Sequence, residues 1–242
     1  MPRKLGQHFL QSDSVLNRIA GAVCPAREPL VIEIGPGRGA LTAKLLDRAH
    51  RVVAIEVDGE LVEELRKRFA AAPLEVIHAD VLDVDLTQWG RAPVAGNLPY
   101  YITSPILEKV ARANPARAVF LMQKEVAQRL TARPGTRDYG YLTVQTAAFA
   151  RARALFDVKP GAFRPPPKVD STVVLLEPRD SAISDREAFL EFAGRCFRQK
   201  RKTLRNNLAG VYGKEIVDVW PEASMRAEQL SIDHLAEMFR RL

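Results

Sequence analysis

Cysteine and histidine are scarce in this chain, and long apolar runs are missing. Its 242 residues include two cysteines, Cys24 and Cys196, and four histidines. No CxxC pair and no histidine at ligand spacing accompany these cysteines, so we predict neither a metal site nor a disulfide framework. No stretch approaches the roughly 18 apolar residues of a membrane helix, and no apolar block follows the basic start. We therefore expect a protein of the reducing cytoplasm, with no membrane segment and no secretory signal.

Basic residues outnumber acidic ones. The 36 lysines and arginines, against 29 acidic residues, give a formal net charge of +7 and a sequence pI near 9.6. Such a surplus suits a polyanionic partner such as a nucleic acid. Hydrophobic residues make up 47% of the chain. This is ordinary globular usage, and it argues against a disordered or low-complexity protein.

Short β-branched runs alternate with helical patterns from residue 30 to residue 177. The predicted strands cover residues 30–34, 51–55, 74–77, 92–95 and 118–122. The predicted helices cover residues 40–48, 59–71 and 104–113, the last capped by Ser104. This alternation predicts parallel strands joined by helices, and hence a doubly wound α/β sheet. Two later runs, residues 153–158 and 171–177, predict a closing pair of strands around a proline-rich loop.

The pattern changes near residue 180. From Ser184, where Glu187 completes a capping-box pattern, the sequence is helical in character to residue 242. We therefore predict two domains, a sheet domain over residues 1–178 and a small all-helical domain over residues 179–242.

A glycine-rich loop follows the first predicted strand. Gly35, Gly37 and Gly39 lie where glycines let the backbone turn tightly and let a ligand approach the main chain. Glu56 ends the second strand, 21 residues after Gly35, and can accept hydrogen bonds from both hydroxyls of a ribose. An adenosine-containing cofactor is indicated, and an NAD enzyme stays open at this point. Asp80, after the third strand, suits either an adenine amine or the cap of a turn.

Residues 97–100 (NLPY) follow the fourth predicted strand, at the edge where open α/β sheets bind ligands. The Asn97 amide oxygen and a main-chain carbonyl at Leu98 or Pro99 can accept both N–H bonds of a ring-conjugated amine. Pro99 stiffens the turn, and Tyr100 offers a flat face to the ring. An ordinary strand-end turn is the alternative. The shared sheet edge with the glycine loop favours methylation of such an amine, and nothing here suits hydride transfer.

With these motifs the chain resembles the rRNA adenine N6-dimethyltransferase family (KsgA type) over nearly its full length. The stretches that carry the resemblance are residues 5–10 (LGQHFL), 33–39 (EIGPGRG), 97–100 (NLPY), 163–171 (FRPPPKVDS) and 201–208 (RKTLRNNL). The resemblance implies a Rossmann-like seven-stranded S-adenosylmethionine-dependent methyltransferase sheet, with an antiparallel last strand and a helical C-terminal domain. The implied activity is N6,N6-dimethylation of two adjacent adenosines near the 3′ end of small-subunit (16S) rRNA during ribosome assembly. We expect a cytoplasmic monomer.

The resemblance also implies roles for single residues. His8 and Leu10 border the methionine end of S-adenosylmethionine, and Asn97 lies between donor and target. The implied cofactor-binding residues are His8, Leu10, Gly35, Gly37, Glu56, Asp80, Val81 and Asn97. The implied catalytic residues are Asn97, Pro99, Tyr100 and Phe163. Tyr100 and Phe163 would stack on the target base, although Phe163 could equally belong to the core.

Four basic residues predict the RNA-binding surface. Arg198, Arg201, Lys202 and Arg205 recur at three- and four-residue steps of one predicted helix, so they would share a face. A solvated basic face is the usual interpretation of such a run. Its coincidence with the net positive charge and a base-modifying site favours contacts with rRNA phosphates.

Three other functions remain as alternatives. A large-subunit rRNA adenine dimethyltransferase that confers antibiotic resistance would share the glycine loop and the motif at residues 97–100, and residues 201–208 favour the small subunit by resemblance alone. A mainly non-catalytic ribosome assembly factor would keep the fold, but the intact motif argues against it. A DNA adenine methyltransferase is less favoured, because the RNA-directed resemblance covers so much of the chain.

Overall fold

The structure is a computed structural model that describes residues 8–99, 102–179 and 183–242. Its strands are β1 (Phe9–Leu10), β2 (Val31–Ile34), β3 (Val52–Glu56), β4 (Leu74–His78), β5 (Val94–Asn97), β6 (Ala118–Gln123), β7 (Ala150–Val158), β8 (Phe163–Arg164) and β9 (Ser171–Pro178). Its α-helices are α1 (Asp13–Val23), α2 (Ala40–Leu46), α3 (Gly59–Arg68), α4 (Thr103–Ala113), α5 (Lys124–Leu130), α6 (Tyr141–Ala147), α7 (Arg186–Cys196), α8 (Leu204–Tyr212), α9 (Lys214–Val217) and α10 (Ile232–Phe239).

Seven strands form one sheet in the order β4-β3-β2-β5-β6-β9-β7. The strands from β2 to β6 pair in parallel, whereas β9 is antiparallel to β6. Every residue of β2 and β3 is buried. Such unbroken burial is typical of parallel strands covered on both faces, and it explains their β-branched composition. The predicted α/β class and seven-stranded methyltransferase sheet are confirmed.

Helix starts follow local side-chain chemistry, and two of the predicted caps are wrong. The Asp58 carboxylate opens α3 by accepting from the main-chain amide of Glu60 at 3.0 Å. Ser104 does not cap α4, because that helix begins one residue earlier, at Thr103. Asp185, not Ser184, caps α7, and its carboxylate accepts from the Ala188 amide at 3.0 Å.

A short antiparallel pair joins two distant segments of the chain. β1 pairs with β8, with Leu10 opposite Phe163. Both side chains enter the apolar core that α1, α2 and the sheet share, and Ile19, Leu45 and Val173 are among its buried members. The pair thereby holds residues 8–10 at the sheet domain.

The chain divides into two compact units, residues 1–127 with 152–178 and residues 128–151 with 179–242. Residues 128–151 join the second unit, where the Gly135 amide donates to the Glu228 carbonyl at 2.7 Å. The predicted domain boundary between residues 178 and 179 stays a prediction. It assigns residues 128–151 to the sheet domain, whereas the contacts of the structure group them with the second unit. Within the described ranges, no helix combines the length and apolar character needed to cross a membrane.

Candidate functional site

A cavity of about 120 Å³ lies in the first unit. Its lining comes from β1, from α1, from the start of α2 and from the residues at the carboxyl ends of β2, β3 and β5. Parallel strands bring their carboxyl ends to the same edge, and this is where open α/β sheets bind ligands. The topology therefore collects the glycine loop, Glu56 and Asn97 around one space, as their positions after successive strands predict.

The glycine loop exposes its main chain to the cavity. Gly37 and Gly39 have φ values of +56° and +77°, in the left-handed region that favours glycine. A Cβ atom at Gly37 would lie 3.1 Å from the Phe9 ring, and one at Gly39 would lie 2.5 Å from the Phe69 ring. A Cβ atom is thus disfavoured at Gly39 by both conformation and close contact, and at Gly37 mainly by its φ value. The bare backbone at both positions lets a ligand approach the loop closely.

The Glu56 carboxylate is fixed by three main-chain amides. Its Oε2 accepts from Gly37 at 3.1 Å, and its Oε1 accepts from Val57 at 3.0 Å and Asp58 at 3.1 Å. Glu56 is only 5% exposed, yet it lines the cavity. A pre-positioned acceptor at this place suits hydroxyl donors such as those of a ribose.

Glu33 is a second carboxyl group on the cavity, and it was not among the predicted site residues. It is 1% exposed, and its Oε2 accepts from the Thr42 hydroxyl at 2.6 Å. Burial raises its pKa to about 7; the Thr42 hydrogen bond opposes this rise and the charge of Glu56 adds to it. The signal in the sequence was a single acidic residue within the otherwise apolar strand β2.

Asn97 is oriented by His8, the residue directly before β1. Its Nδ2 donates to the main-chain carbonyl of His8 at 3.0 Å, and the His8 ring nitrogen Nδ1 lies 2.9 Å from the Pro165 carbonyl oxygen. The Oδ1 of Asn97 has no hydrogen-bond partner among the described residues. Because the amide nitrogen is engaged, the oxygen is the atom left to accept from a ligand.

The main-chain carbonyls beside Asn97 are not equivalent. The Pro99 carbonyl accepts from the Thr103 hydroxyl at 2.9 Å and from the Ile102 amide at 3.2 Å. The Leu98 carbonyl has no such partner in the described part of the chain. Of the two carbonyls that the sequence suggested as a second acceptor for an amine, the one at Leu98 is therefore the one without a hydrogen-bond donor among the described residues.

Most of the predicted cofactor residues line this cavity. They are His8, Leu10, Gly35, Gly37, Glu56 and Asn97. Asp80 and Val81 do not line it, and the Asp80 carboxylate instead caps a short 3-10 turn by accepting from the Leu82 amide at 2.9 Å. Pro99 also lines the cavity, and Tyr100 lies outside the described residues. Phe9 and Arg38 are lining residues that the sequence did not single out.

Phe163 does not form a pocket wall. It is 0% exposed, belongs to the core and is absent from the cavity lining. Its pairing with Leu10 in the β1–β8 ladder carries the side chain into the core. The structure therefore favours the interpretation of Phe163 as a core residue, and its stacking on a target base stays a prediction without a contact in this structure.

The predicted basic residues of the second unit do not share one helix. α7 ends at Cys196 and α8 begins at Leu204, so Arg198, Arg201 and Lys202 lie in the intervening turn. The turn is closed by Asn207, whose Nδ2 donates to the Cys196 carbonyl at 2.9 Å and the Gln199 carbonyl at 3.3 Å. The prediction that these four residues share one helical face is thus wrong.

All four basic side chains are nevertheless exposed. Arg205, in the first turn of α8, forms an ion pair with Asp218. Arg198, Arg201 and Lys202 have no carboxylate partner among the described residues. No group of three metal-ligating side chains occurs in the described ranges either.

Comparison with known proteins places this site in a family. The family model described as "Ribosomal RNA adenine dimethylase" matches residues 1–242. "Ribosomal RNA small subunit methyltransferase A" of Acidobacterium capsulatum is 44% identical over 255 residues, covering 99% of this chain and 90% of that protein.

Two solved structures are similar over nearly the whole chain. A dimethyladenosine transferase from Plasmodium falciparum has a TM-score of 0.82 at 26% identity and 96% coverage of both chains. The 23S rRNA methyltransferase ErmE has a TM-score of 0.72 at 28% identity, covering 97% of this chain and 99% of its own. These findings confirm the resemblance seen in the sequence motifs: the chain belongs to the ribosomal RNA adenine dimethylase family.

Proposed function

We propose that the protein uses S-adenosylmethionine to dimethylate N6 of two adjacent adenosines near the 3′ end of small-subunit rRNA during ribosome assembly. The observation that carries the proposal is the orientation of Asn97. Its amide nitrogen is held by the His8 carbonyl, and its oxygen is left to accept on the cavity that Glu56 and the glycine loop also line.

The residues of the cavity fit the methyl donor. Glu56 offers a fixed carboxylate to the ribose hydroxyls, and the glycine loop offers a bare backbone. His8 and Leu10 line the same cavity, and the family resemblance assigns them to the methionine end. When bound, the donor supplies a methyl group on a positively charged sulfur, which is a good leaving group. The chain therefore needs to position the amine and does not need a strong base.

Asn97 and Leu98 can position an adenine amine. The amine is a poor nucleophile because its lone pair is delocalised into the ring, and acceptors at both N–H bonds help to localise that pair. The Asn97 Oδ1 and the Leu98 carbonyl are the two acceptors left open by the hydrogen bonds of this turn. The methylated nitrogen is an acidic ammonium that releases one proton to solvent. A single N–H then remains, so one of the two acceptors suffices to hold it for the second round.

The small subunit is the favoured source of the rRNA. The Acidobacterium capsulatum relative, 44% identical, is named for the small subunit, whereas the neighbour named for 23S rRNA is 28% identical. In the second unit, Arg198, Arg201 and Lys202 present charges without carboxylate partners among the described residues, as phosphate contacts require. We expect the protein to work as a monomer in the cytoplasm, where ribosomes assemble.

The test supplies a labelled methyl donor together with unmethylated small subunits, large subunits or free rRNA. We expect label on two adjacent adenosines of small-subunit rRNA, mapped by mass spectrometry. Label on the large subunit would favour the antibiotic-resistance alternative. Binding to immature subunits without label would favour the non-catalytic assembly factor, and either outcome would overturn the proposal.

A further inference from the structure

We infer that Arg38 binds the α-carboxylate of the methyl donor, an inference that rests on the proposed function. Arg38 belongs to the glycine loop, and its exposed side chain lines the cavity. Its Cζ atom lies 5.0 Å from the centroid of the Phe9 ring. Among the described residues that line the cavity, it is the only lysine or arginine.

The two acidic side chains of the lining offer nothing that attracts an anion. Glu33 is bonded to the Thr42 hydroxyl, and Glu56 is bonded to three main-chain amides. Near the Glu56 carboxylate an anionic ligand group would be repelled, and the buried Glu33 offers no positive charge, whereas Arg38 would attract the anion. The methyl donor carries one anionic group, its α-carboxylate, so the charges of the cavity assign that group to Arg38.

The position of the guanidinium agrees with this assignment. His8 and Leu10 border the methionine end by resemblance to the family, and Phe9, which stacks with Arg38, lies between them. Stacking on an aromatic ring holds the guanidinium plane while its N–H edges stay available to a carboxylate. The described residues offer the Arg38 side chain no carboxylate partner that would compete.

The backbone beneath Arg38 is also fixed. The Arg68 guanidinium donates to the Arg38 carbonyl oxygen at 2.5 Å, and Gly39 contacts the ring of Phe69 too closely to accept a Cβ atom. The side chain therefore starts from a defined place in the loop. Less conformational freedom is lost when it binds a carboxylate than would be lost from a mobile loop.

The experiment compares two ligands that differ only in the carboxylate. Calorimetric titration uses S-adenosylhomocysteine and 5′-(3-aminopropyl)thio-5′-deoxyadenosine, the same molecule without that group. The variant is Arg38→Met, which keeps an unbranched side chain on the Phe9 ring and removes the charge. The matched control is Arg18→Met: Arg18 is also exposed and stacked, 3.5 Å from the Phe156 centroid, but it does not line the cavity.

We expect Arg38→Met to weaken the binding of S-adenosylhomocysteine about tenfold and the binding of the amine analogue less than about twofold. The difference between these two losses of affinity should shrink as salt is added, because the contact between Arg38 and the carboxylate is exposed. Arg18→Met should bind both ligands as the wild type does. An equal loss for both ligands, or no loss, overturns the inference and leaves the proposed function intact. A wild-type protein that binds neither ligand overturns both.

Discussion

Replacing Glu33 with glutamine should change how the free energy of unfolding depends on pH. The carboxyl group is 1% exposed, and burial raises its pKa from 4.5 to about 7. Between these values the native state holds a proton that the unfolded state has released. The contribution of Glu33 to the free energy of unfolding should therefore fall as the pH rises from about 4.5 to about 7, and level off above that.

The magnitude follows from the size of the pKa change. A shift of about 2.5 units, at 1.36 kcal/mol each, corresponds to roughly 3 kcal/mol of unfolding free energy lost across this window. Glutamine does not titrate, and its side-chain oxygen can still accept from the Thr42 hydroxyl that Glu33 now engages at 2.6 Å. Glu33→Gln should thus match the wild type near pH 4.5 and exceed its free energy of unfolding by roughly 3 kcal/mol above pH 7.

Urea denaturation of the ligand-free protein at pH 5, 6, 7 and 8 measures this difference. Glu64→Gln, which removes an exposed carboxylate from α3, is the control, and its curve should run parallel to that of the wild type. If the free energies of unfolding of Glu33→Gln and the wild type run parallel against pH, Glu33 is ionised in the native state at all four pH values. The account of its burial would then be refuted.

Three further substitutions test the site and its surroundings. Asn97→Ala should reduce methyl transfer by about a hundredfold and change donor affinity less than about threefold, because one acceptor for the amine is lost; undiminished turnover in a labelled-methyl assay contradicts this. Phe163→Ala should lower the free energy of unfolding by about 3–5 kcal/mol in urea, since the ring is fully buried; a loss of activity at unchanged stability would restore the stacking role. Arg201→Ala should reduce the slope of log affinity for rRNA against log salt by about one; an unchanged slope means no phosphate contact.

The sheet and the edge that carries the site could be predicted from the sequence because both depend on local patterns. Short buried runs of mainly apolar residues identify β2, β3 and β5, and parallel pairing brings their carboxyl ends together. Gly35 follows β2 directly, and Glu56 and Asn97 are the last residues of β3 and β5, so their convergence needs no knowledge of distant contacts. The structure has all three on one cavity.

The environment of Phe163 could not be predicted, because it depends on a distant pairing. Its neighbour across the ladder is Leu10, more than 150 residues earlier, and only that ladder determines that the ring faces the core. The proline-rich context of residues 165–167 is equally compatible with a pocket wall. Local sequence offered no means to choose.

The break in the basic segment depends on a polar contact that periodicity does not reveal. Apolar and basic residues continue at helical spacing from α7 through Leu208, so the sequence predicts one helix. Asn207 instead donates to carbonyls of Cys196 and Gln199 and closes a turn. An asparagine side chain that competes for main-chain groups can end a helix without any proline or glycine at the break.

The same kind of distant contact gives Asn97 its chemistry. An amide can present either its oxygen or its nitrogen to a ligand, and the sequence of residues 97–100 does not determine which. The His8 carbonyl, 89 residues away, engages the nitrogen at 3.0 Å and leaves the oxygen to accept. β1 itself is held by its ladder with β8. The acceptor that methylation of an amine requires thus depends on a segment near residue 8 and another near residue 164, and the turn that carries Asn97 is only one of the three parts that make it.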